Sequence, residues 1–458
     1  LRWDFPLIHR LKNLKYISEY GSQALWVDGE FGGTVPNIFS IMTGLHVEHH
    51  GIIDDTILVN SNIFKNRSNY EPIPITNENV GGHTRLFQWP FDPLNFKTGR
   101  KGKVDIIEPY RKDDASLFQL SRRIPTILKS LADENDRTNF VMTFANEPYW
   151  TMASDGVDSD SGRRIMSTID RLLGKILLET KRLNLIDKLN LLVIGDHGLT
   201  DMKCSKPIYL YNYIPRVELK NHTAIQTQSH LSLVLYPKSE TSYTILLNKL
   251  KYIPRNKVKI YTNTNNIPTR LRLPIISKTT PIIVIPKSKY YLSFSRRLCD
   301  RNNNITLNCA DKQPLMFADH SNDPRIVSMR STFLALGPAF KQHHLNDHIL
   351  ITDIYPLLRE ILCLSNHPKP GQPLAKVQQM LNYTAMDCKQ WYLFNSLHYR
   401  MEQPLFTTPT TSMPPTLMSK IVRINIASKV LLNRSRNKRK KPSINSTRTK
   451  TAHMKIFN

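Results

Sequence analysis

No stretch of about eighteen consecutive apolar residues occurs in this chain, so no segment of it reads as a membrane-spanning helix. No secretory signal pattern is visible at Leu1, and with no initiating Met the chain reads as a processed product or a truncated one. Any membrane anchor is expected to lie outside it. No Cys-x-x-Cys pair exists among Cys204, Cys299, Cys309, Cys363 and Cys388, which argues against a structural zinc site. No internal repeat is present. The last 39 residues, from Lys420, contain no Asp or Glu but twelve Lys or Arg. Nearly half of the formal net charge of +26 therefore sits in this tail. The run Arg434–Lys441 lacks the interleaved aromatics of a single-strand binder. It reads as a solvated segment with no specific nucleic-acid partner, able to touch phosphate or anionic lipid only through charge.

What is there supports a folded chain. With 458 residues and 40% hydrophobic content, it can bury one large domain or two ordinary ones. Asn-x-Ser/Thr sequons at Asn66, Asn221, Asn304, Asn382, Asn433 and Asn445, with widely spaced cysteines, point to an extracellular or cell-surface protein. Residues 1–385 alternate strand and helix signals, which predicts an α/β fold. Asn139–Ala145 reads as a strand and Asn190–Gly195 as the next. Between them, Ile165, Ile169, Leu172, Leu173 and Ile176 form one apolar helical face. Strand, helix and strand at this spacing predict a βαβ unit with a parallel pair. Thr332–Leu336 reads as a strand and Asp353–Leu362 as a helix. Residues 205–318 mix short β-like runs, Leu231–Tyr236 and Ile282–Ile285, with Pro- and Asn-rich turns, and read as an insertion covering one end of the sheet. Residues 386–458 read as a Pro/Thr linker, Thr407–Thr416, followed by a disordered basic tail.

Two motifs carry chemistry. The apolar run Leu191–Gly195 leads directly into Asp196-His197-Gly198, which sets a carboxylate beside an imidazole at the carboxyl end of a strand. Open α/β sheets build their sites at that edge, and both groups are competent zinc ligands. Earlier, Thr34-Val35-Pro36-Asn37 precedes a helix-like run, Ile38–Thr43, closed by Gly44. This places Thr34 just outside a helix N-terminus, where N–H groups favour an anion. A threonine there is either an N-cap or, with a metal or base to remove its proton, a nucleophile.

The wider string, Thr34-Val-Pro-Asn, Ser40-Ile-Met-Thr-Gly-Leu45 and Glu48-His-His-Gly-Ile52, resembles the ectonucleotide pyrophosphatase/phosphodiesterase family of the alkaline-phosphatase superfamily. Asp196-His197-Gly198 resembles its metal-binding D-H-G, and Asp319-His320 its later G-D-H-G. Phe333–Phe340 and Asp353–Leu357 resemble the segments that follow. The resemblance implies a three-layer α/β/α fold with a mostly parallel central sheet and a smaller inserted α+β region. It implies an extracellular hydrolase that cleaves nucleotide or phospholipid-like phosphodiester or pyrophosphate bonds with two zinc ions about 4 Å apart. Thr34 is implied as nucleophile, Asp196 and His197 as ligands of the metal beside it, and His320 as a ligand of the other.

The chain departs from that pattern in three places. Leu1-Arg2-Trp3-Asp4 resembles the residues just after the family's first metal-binding aspartate, so that ligand and its strand are expected upstream. Val27-Asp28-Gly29 lies too close to Thr34 to replace it. In the stretch after the strand that ends at Ala145, Tyr149 stands where the family has an aspartate and Ala153 where it has a histidine. Asp155 and Asp158 are nearby carboxylates. Asp55 stands where the family has an asparagine that donates to the phosphoryl oxygen, and a carboxylate there accepts rather than donates. Three of six protein ligands remain, Asp196, His197 and His320, so one zinc or none is expected. The alternative reading is a pseudoenzyme that binds a partner or ligand without turnover. The resemblance also implies a bridge from Cys204 to Cys309, with Cys299 as second choice. Cys363, in an apolar helix end, reads as a buried free thiol. His49, His50 and His230 read as structural or exposed.

Overall fold

Short apolar strands and amphipathic helices pack into three layers, with the sheet strands feeding side chains to opposite faces. The computed structural model describes residues 1–8, 11–55, 71–90, 104–111, 115–203, 207–293 (loop positions 228, 263–266, 275–278 and 289 excepted), 316–364 and 374–383. These fall within the unit Leu1–Arg400. The linker and basic tail, the bridge expected between Cys204 and Cys309, and the sequons at Asn66, Asn304, Asn433 and Asn445 lie outside the described residues.

Strand Phe333–Leu336 runs antiparallel to Leu191–Ile194 on one side and to Ser22–Ala24 on the other. Ser22–Ala24 pairs in parallel with His344–Asn346. A second ladder sets Thr84–Trp89 parallel to both Asp105–Pro109 and Phe140–Thr143. Phe140–Thr143 and Leu191–Ile194, expected to pair directly, thus fall in separate ladders among the described residues. They nevertheless share two faces. Val141, Leu191 and Val193 pack against one apolar cluster, and Phe140, Leu192 and Ile194 against another. Strand alternation requires this of two ladders in one layer. The first cluster is closed by helices Lys12–Tyr20, Leu117–Ala132 and Asp160–Arg182, the second by Thr34–Thr43 and Ile354–Ile361. The result is the expected α/β/α arrangement.

The insertion has its own sheet, in the order Val258–Tyr261, Ile282–Pro286, Leu233–Pro237, Thr223–Gln226, antiparallel throughout. Leu233, Leu235, Ile282 and Val284 face helices Arg216–His222 and Glu240–Leu250. Val234, Tyr236, Ile283 and Ile285 face Phe31, Val47 and Ile53, which flank the Thr34 helix in sequence. The insertion therefore supports the segment that carries the first motif.

Cys363 corrects the sequence reading. It is disulfide-bonded rather than free, with a partner outside the described residues. An apolar helix end predicts burial, and Cys363 is buried, but burial suits a bridged sulfur as well as a thiol.

One buried charge ties the first helical layer together. Helix Lys12–Tyr20 has no side-chain cap of its own, because Leu11 holds the N-cap position. Asp170, on the buried face of Asp160–Arg182, accepts from the backbone N–H groups of Asn13 and Leu14, each at 2.9 Å, and from Asn13 Nδ2 at 3.0 Å. It supplies the missing cap across the interface. Asp170→Ala leaves the N–H groups of buried Leu14 and half-buried Asn13 without this acceptor and is expected to lower stability by about 1–3 kcal/mol. Urea denaturation should show a lower midpoint at unchanged slope; an unchanged midpoint would show that the cap carries no weight.

Candidate functional site

Helix Thr34–Thr43 is buried along its whole length except at its first residue, Thr34, which reaches the surface. The loop before it is fixed by fully buried Asn37, whose Nδ2 donates to Gly33 O at 2.8 Å and whose Oδ1 accepts from Glu30 N at 2.7 Å. Glu30 in turn lies 2.5 Å from His46 Nδ1, both side chains buried, and accepts from Val47 N at 3.3 Å. The sequence reading assigned these three residues no role, because nothing in their spacing signals one.

The helix begins earlier than the sequence predicts. Thr34 is its first residue, and Gly33 holds the N-cap position without a side chain to cap it. Asp55 supplies the cap instead, its Oδ1 accepting from Val35 N at 2.7 Å. Thr34 is thereby released from capping, and its hydroxyl points to other partners.

Those partners come from the end of strand Leu191–Ile194. Gly198 holds the turn there against residues 328 and 329. Its N–H donates to Met329 O at 2.8 Å, and a Cβ would lie 2.0 Å from Ser328 O, so only glycine lets the chains meet. His197 Nδ1 lies 2.8 Å from Gly198 O. Its N–H donates to that carbonyl, which leaves the lone pair on Nε2. Nε2 is 3.1 Å from Thr34 Oγ1 and 3.3 Å from Asp196 Oδ2. Burial pushes the imidazole down to about 4 against the pull of Asp196, so His197 is neutral near pH 7. Burial alone would raise Asp196, but His197 and the Thr34 hydroxyl act against it, and the carboxyl is held below its usual range. A neutral imidazole nitrogen, a carboxylate oxygen and a hydroxyl oxygen thus converge on one point, a donor set suited to one zinc ion.

His320 arrives by a different route. Strand Met316–Asp319 pairs antiparallel with Thr200–Lys203, Asp319 opposite Thr200, which carries His320 back to the Asp196–Gly198 turn. The His197 and His320 rings are 4.2 Å apart between centroids, and His320 Nδ1 lies 2.5 Å from Ser321 Oγ. Tyr149, the first residue of helix Tyr149–Asp155, places its ring 5.0 Å from His320 and 6.0 Å from His197. Burial, with the nearby Asp319 and Asp55, drives its phenol far above its usual value, so it is neutral and a poor cation ligand. Ala153 lies one turn on, on the same helical face. Asp155 and Asp158 are exposed at and beyond the helix end, Asp155 accepting from Ser154 Oγ at 2.8 Å. Among the described residues, no group of three or more His, Cys, Asp or Glu side chains could hold a metal ion. The Thr34 side of the site brings together two ligand-type side chains and a hydroxyl; the His320 side offers one imidazole beside a phenol and does not fit a metal ion.

The remaining candidates have other tasks. Asp28 pairs with Arg330 at 3.3 Å. Buried His50 packs against Phe39, accepts from Ile52 N at 3.1 Å and lies 3.2 Å from Ser40 Oγ. His230 donates from Nδ1 to Leu292 O at 2.9 Å, and His49 is exposed.

The sequence model of type I phosphodiesterase / nucleotide pyrophosphatase matches residues 1–312. Ectonucleotide pyrophosphatase/phosphodiesterase family member 5 of Homo sapiens is 26% identical over 394 residues, covering 83% of this chain and 76% of that protein. The bis(5'-adenosyl)-triphosphatase of Mus musculus is 27% identical over 350 residues, covering 74% and 70%. Among solved structures, human ectonucleotide pyrophosphatase / phosphodiesterase 5 superposes with a TM-score of 0.67 at 24% identity, over 83% of this chain and 97% of that one. An inactive form of the murine protein in complex with AMP gives 0.66 at 23%, with the same coverage. At these identities the likeness to solved structures shows the fold.

The Tyr149 and Ala153 geometry generates a direct check. Tyr149→Asp combined with Ala153→His would set a carboxylate and an imidazole one turn apart beside His320. The double variant is expected to gain one tightly held zinc per chain over the parent, read by elemental analysis after dialysis. No gain would show that this helical face does not address the cation position.

Proposed function

The chain belongs to the type I phosphodiesterase/nucleotide pyrophosphatase family, and from that premise we propose that it hydrolyses nucleotide phosphodiester or pyrophosphate bonds with Thr34 as nucleophile and a single zinc ion. The observation that carries this reading is the convergence of Thr34 Oγ1, His197 Nε2 and Asp196 Oδ2, the first two 3.1 Å apart and the last two 3.3 Å apart. Thr34, Asp196 and His197 would hold the zinc. When bound, it supplies the positive charge that lowers the hydroxyl proton's affinity at Thr34 and balances negative charge on the phosphoryl group.

The chain's own residues do the rest. The fixed loop Gly29–Gly33 presents Thr34 at the surface without capping duty, ready for in-line approach. Its oxygen bonds to phosphorus as the bond to the leaving alcohol or phosphate breaks, the hydroxyl proton passing through solvent to the leaving group, and water later cleaves the phosphoryl-threonine ester and returns a proton to Thr34. His197 keeps its Nδ1 proton on Gly198 O, which holds the ring in one orientation. Tyr149 and His320 supply a ring-lined wall on the far side. A nucleotide substrate accords with the names of the relatives, one a bis(5'-adenosyl)-triphosphatase, and with the AMP complex of a structural neighbour. An extracellular setting accords with the ecto- prefix of a relative and with the sequon at Asn221, which is exposed at a helix end.

A second reading, a binding domain without turnover, is favoured by Tyr149 and Ala153 on the His320 side. Hydrolysis of a chromogenic nucleotide phosphodiester separates the two. On the first reading the zinc-loaded chain turns over, and Thr34→Ala lowers kcat on the order of a thousandfold while the fold is kept. Absence of turnover in zinc-loaded protein, or turnover indifferent to Thr34→Ala, would sink that reading and leave the second.

A further inference from the structure

We propose that Asp55 sets the phosphate affinity of this site by occupying, with its own carboxylate, the backbone donor that a phosphoryl oxygen would take. The inference rests on the reading of the Thr34 site above and specifies what that site admits. Val35 N–H belongs to the first turn of helix Thr34–Thr43, where backbone donors lack partners within the helix and attract anions. It already has an anion, Asp55 Oδ1 at 2.7 Å. The loop is shaped around that carboxylate. A Cβ at Gly33 would lie 2.4 Å from Asp55 Oδ2 and 2.6 Å from Oδ1, so glycine at this position makes the room that the carboxylate fills.

The charge of the surroundings sharpens the effect. Burial pushes the Asp55 carboxyl above its usual range, with Asp54 and Asp196 adding to the rise and His320 and the Val35 N–H opposing it, and Asp196 closes the other side of Thr34. A phosphate group approaching Thr34 therefore meets the Asp196 carboxylate on one side and, on the other, a Val35 N–H already taken by the Asp55 carboxyl. Like charges brought together inside a half-buried site are costly. An asparagine of the same shape could keep its oxygen on Val35 N–H and turn its NH2 towards the phosphoryl oxygen. Asp55 is in this sense a specificity-determining residue. It selects against phosphate groups whose charge is bare and favours ligands whose phosphate charge is covered by a bound cation or absent at that point.

The experiment compares the full chain with Asp55→Asn and Asp54→Asn, titrated calorimetrically with AMP, once zinc-loaded and once in chelator. Asp55→Asn keeps an oxygen for the Val35 N–H and adds a donor; Asp54→Asn makes the same change next door, away from that N–H. The expected result is that Asp55→Asn tightens the Kd for AMP at least about tenfold, and Asp54→Asn less than about threefold. The Asp55→Asn gain should persist between about 0.05 and 0.5 M salt, because a direct contact is screened less than a remote field. Asp55→Ala, which frees Val35 N–H without adding a donor, should also tighten binding and serves if the asparagine variant folds poorly, as judged by thermal unfolding. Equal gains for Asp55→Asn and Asp54→Asn, or no gain in folded Asp55 variants, would overturn the inference. Zinc content, measured on the same samples, reads the proposed function separately: a chain that holds no zinc defeats that reading, while the ratio of AMP affinities still decides the role of Asp55.

Discussion

The contact between Thr34 Oγ1 and His197 Nε2, 3.1 Å long, joins a helix start to a strand end 163 positions apart in the chain. The rest of the site is arranged so that this contact can form. The helix must begin at Thr34, which requires a cap from elsewhere, and Asp55 provides it. The loop before the helix must be rigid, which Asn37 and the buried Glu30–His46 pair secure. The strand end must turn sharply against residues 328 and 329, which Gly198 alone permits. His197 must offer Nε2 rather than Nδ1, which the Gly198 carbonyl fixes. Each device is a backbone or hydrogen-bond constraint, and each acts on the same two atoms.

The site is unequal in its two halves. On the Thr34 side, oxygen and nitrogen donors converge and the imidazole is held neutral by burial, the state a cation needs. On the His320 side, a phenol and a methyl group stand where donors would be required, and the His197 and His320 rings pack against each other and Tyr149. Tyr149 fills that volume with apolar surface and keeps its proton. The chain retains the elements that set Thr34 beside His197, and on the other side a phenol and a methyl group take the place of donors. Asp55 sets a carboxyl on the Val35 N–H where the family resemblance implies an asparagine. The scaffold is that of the type I phosphodiesterase/nucleotide pyrophosphatase family, while Tyr149, Ala153 and Asp55 depart from what the resemblance implies.

Much of this was legible in the sequence, and the illegible parts share one cause. Thr34, Asp196 and His197 could be named because each lies in a short motif whose chemistry is local: a carboxylate beside an imidazole after an apolar run, a threonine before a helix. Tyr149 and Ala153 could be read as substitutions only through the family resemblance, which implies an aspartate and a histidine at those positions. His320 reaches His197 only through the pairing of Met316–Asp319 with Thr200–Lys203, a non-local register that no spacing encodes. Asp55 as cap, Glu30 with His46, and Asp170 across two helices are likewise contacts between distant segments. The insertion shows the limit of periodicity. Leu231–Tyr236 and Ile282–Ile285 are continuous apolar runs, so their β character was visible but not that alternate residues serve two different clusters. The bridged state of Cys363 was hidden for the same reason, since burial does not distinguish a thiol from a disulfide.

The central claim is that one half of the site holds a metal and the other does not, and zinc stoichiometry tests it most directly. Dialysed full chain should carry one zinc, lost in Asp196→Ala and in His197→Ala but retained in His320→Ala. A chain that holds no zinc, or one whose zinc is lost in His320→Ala and kept in Asp196→Ala, would contradict the account.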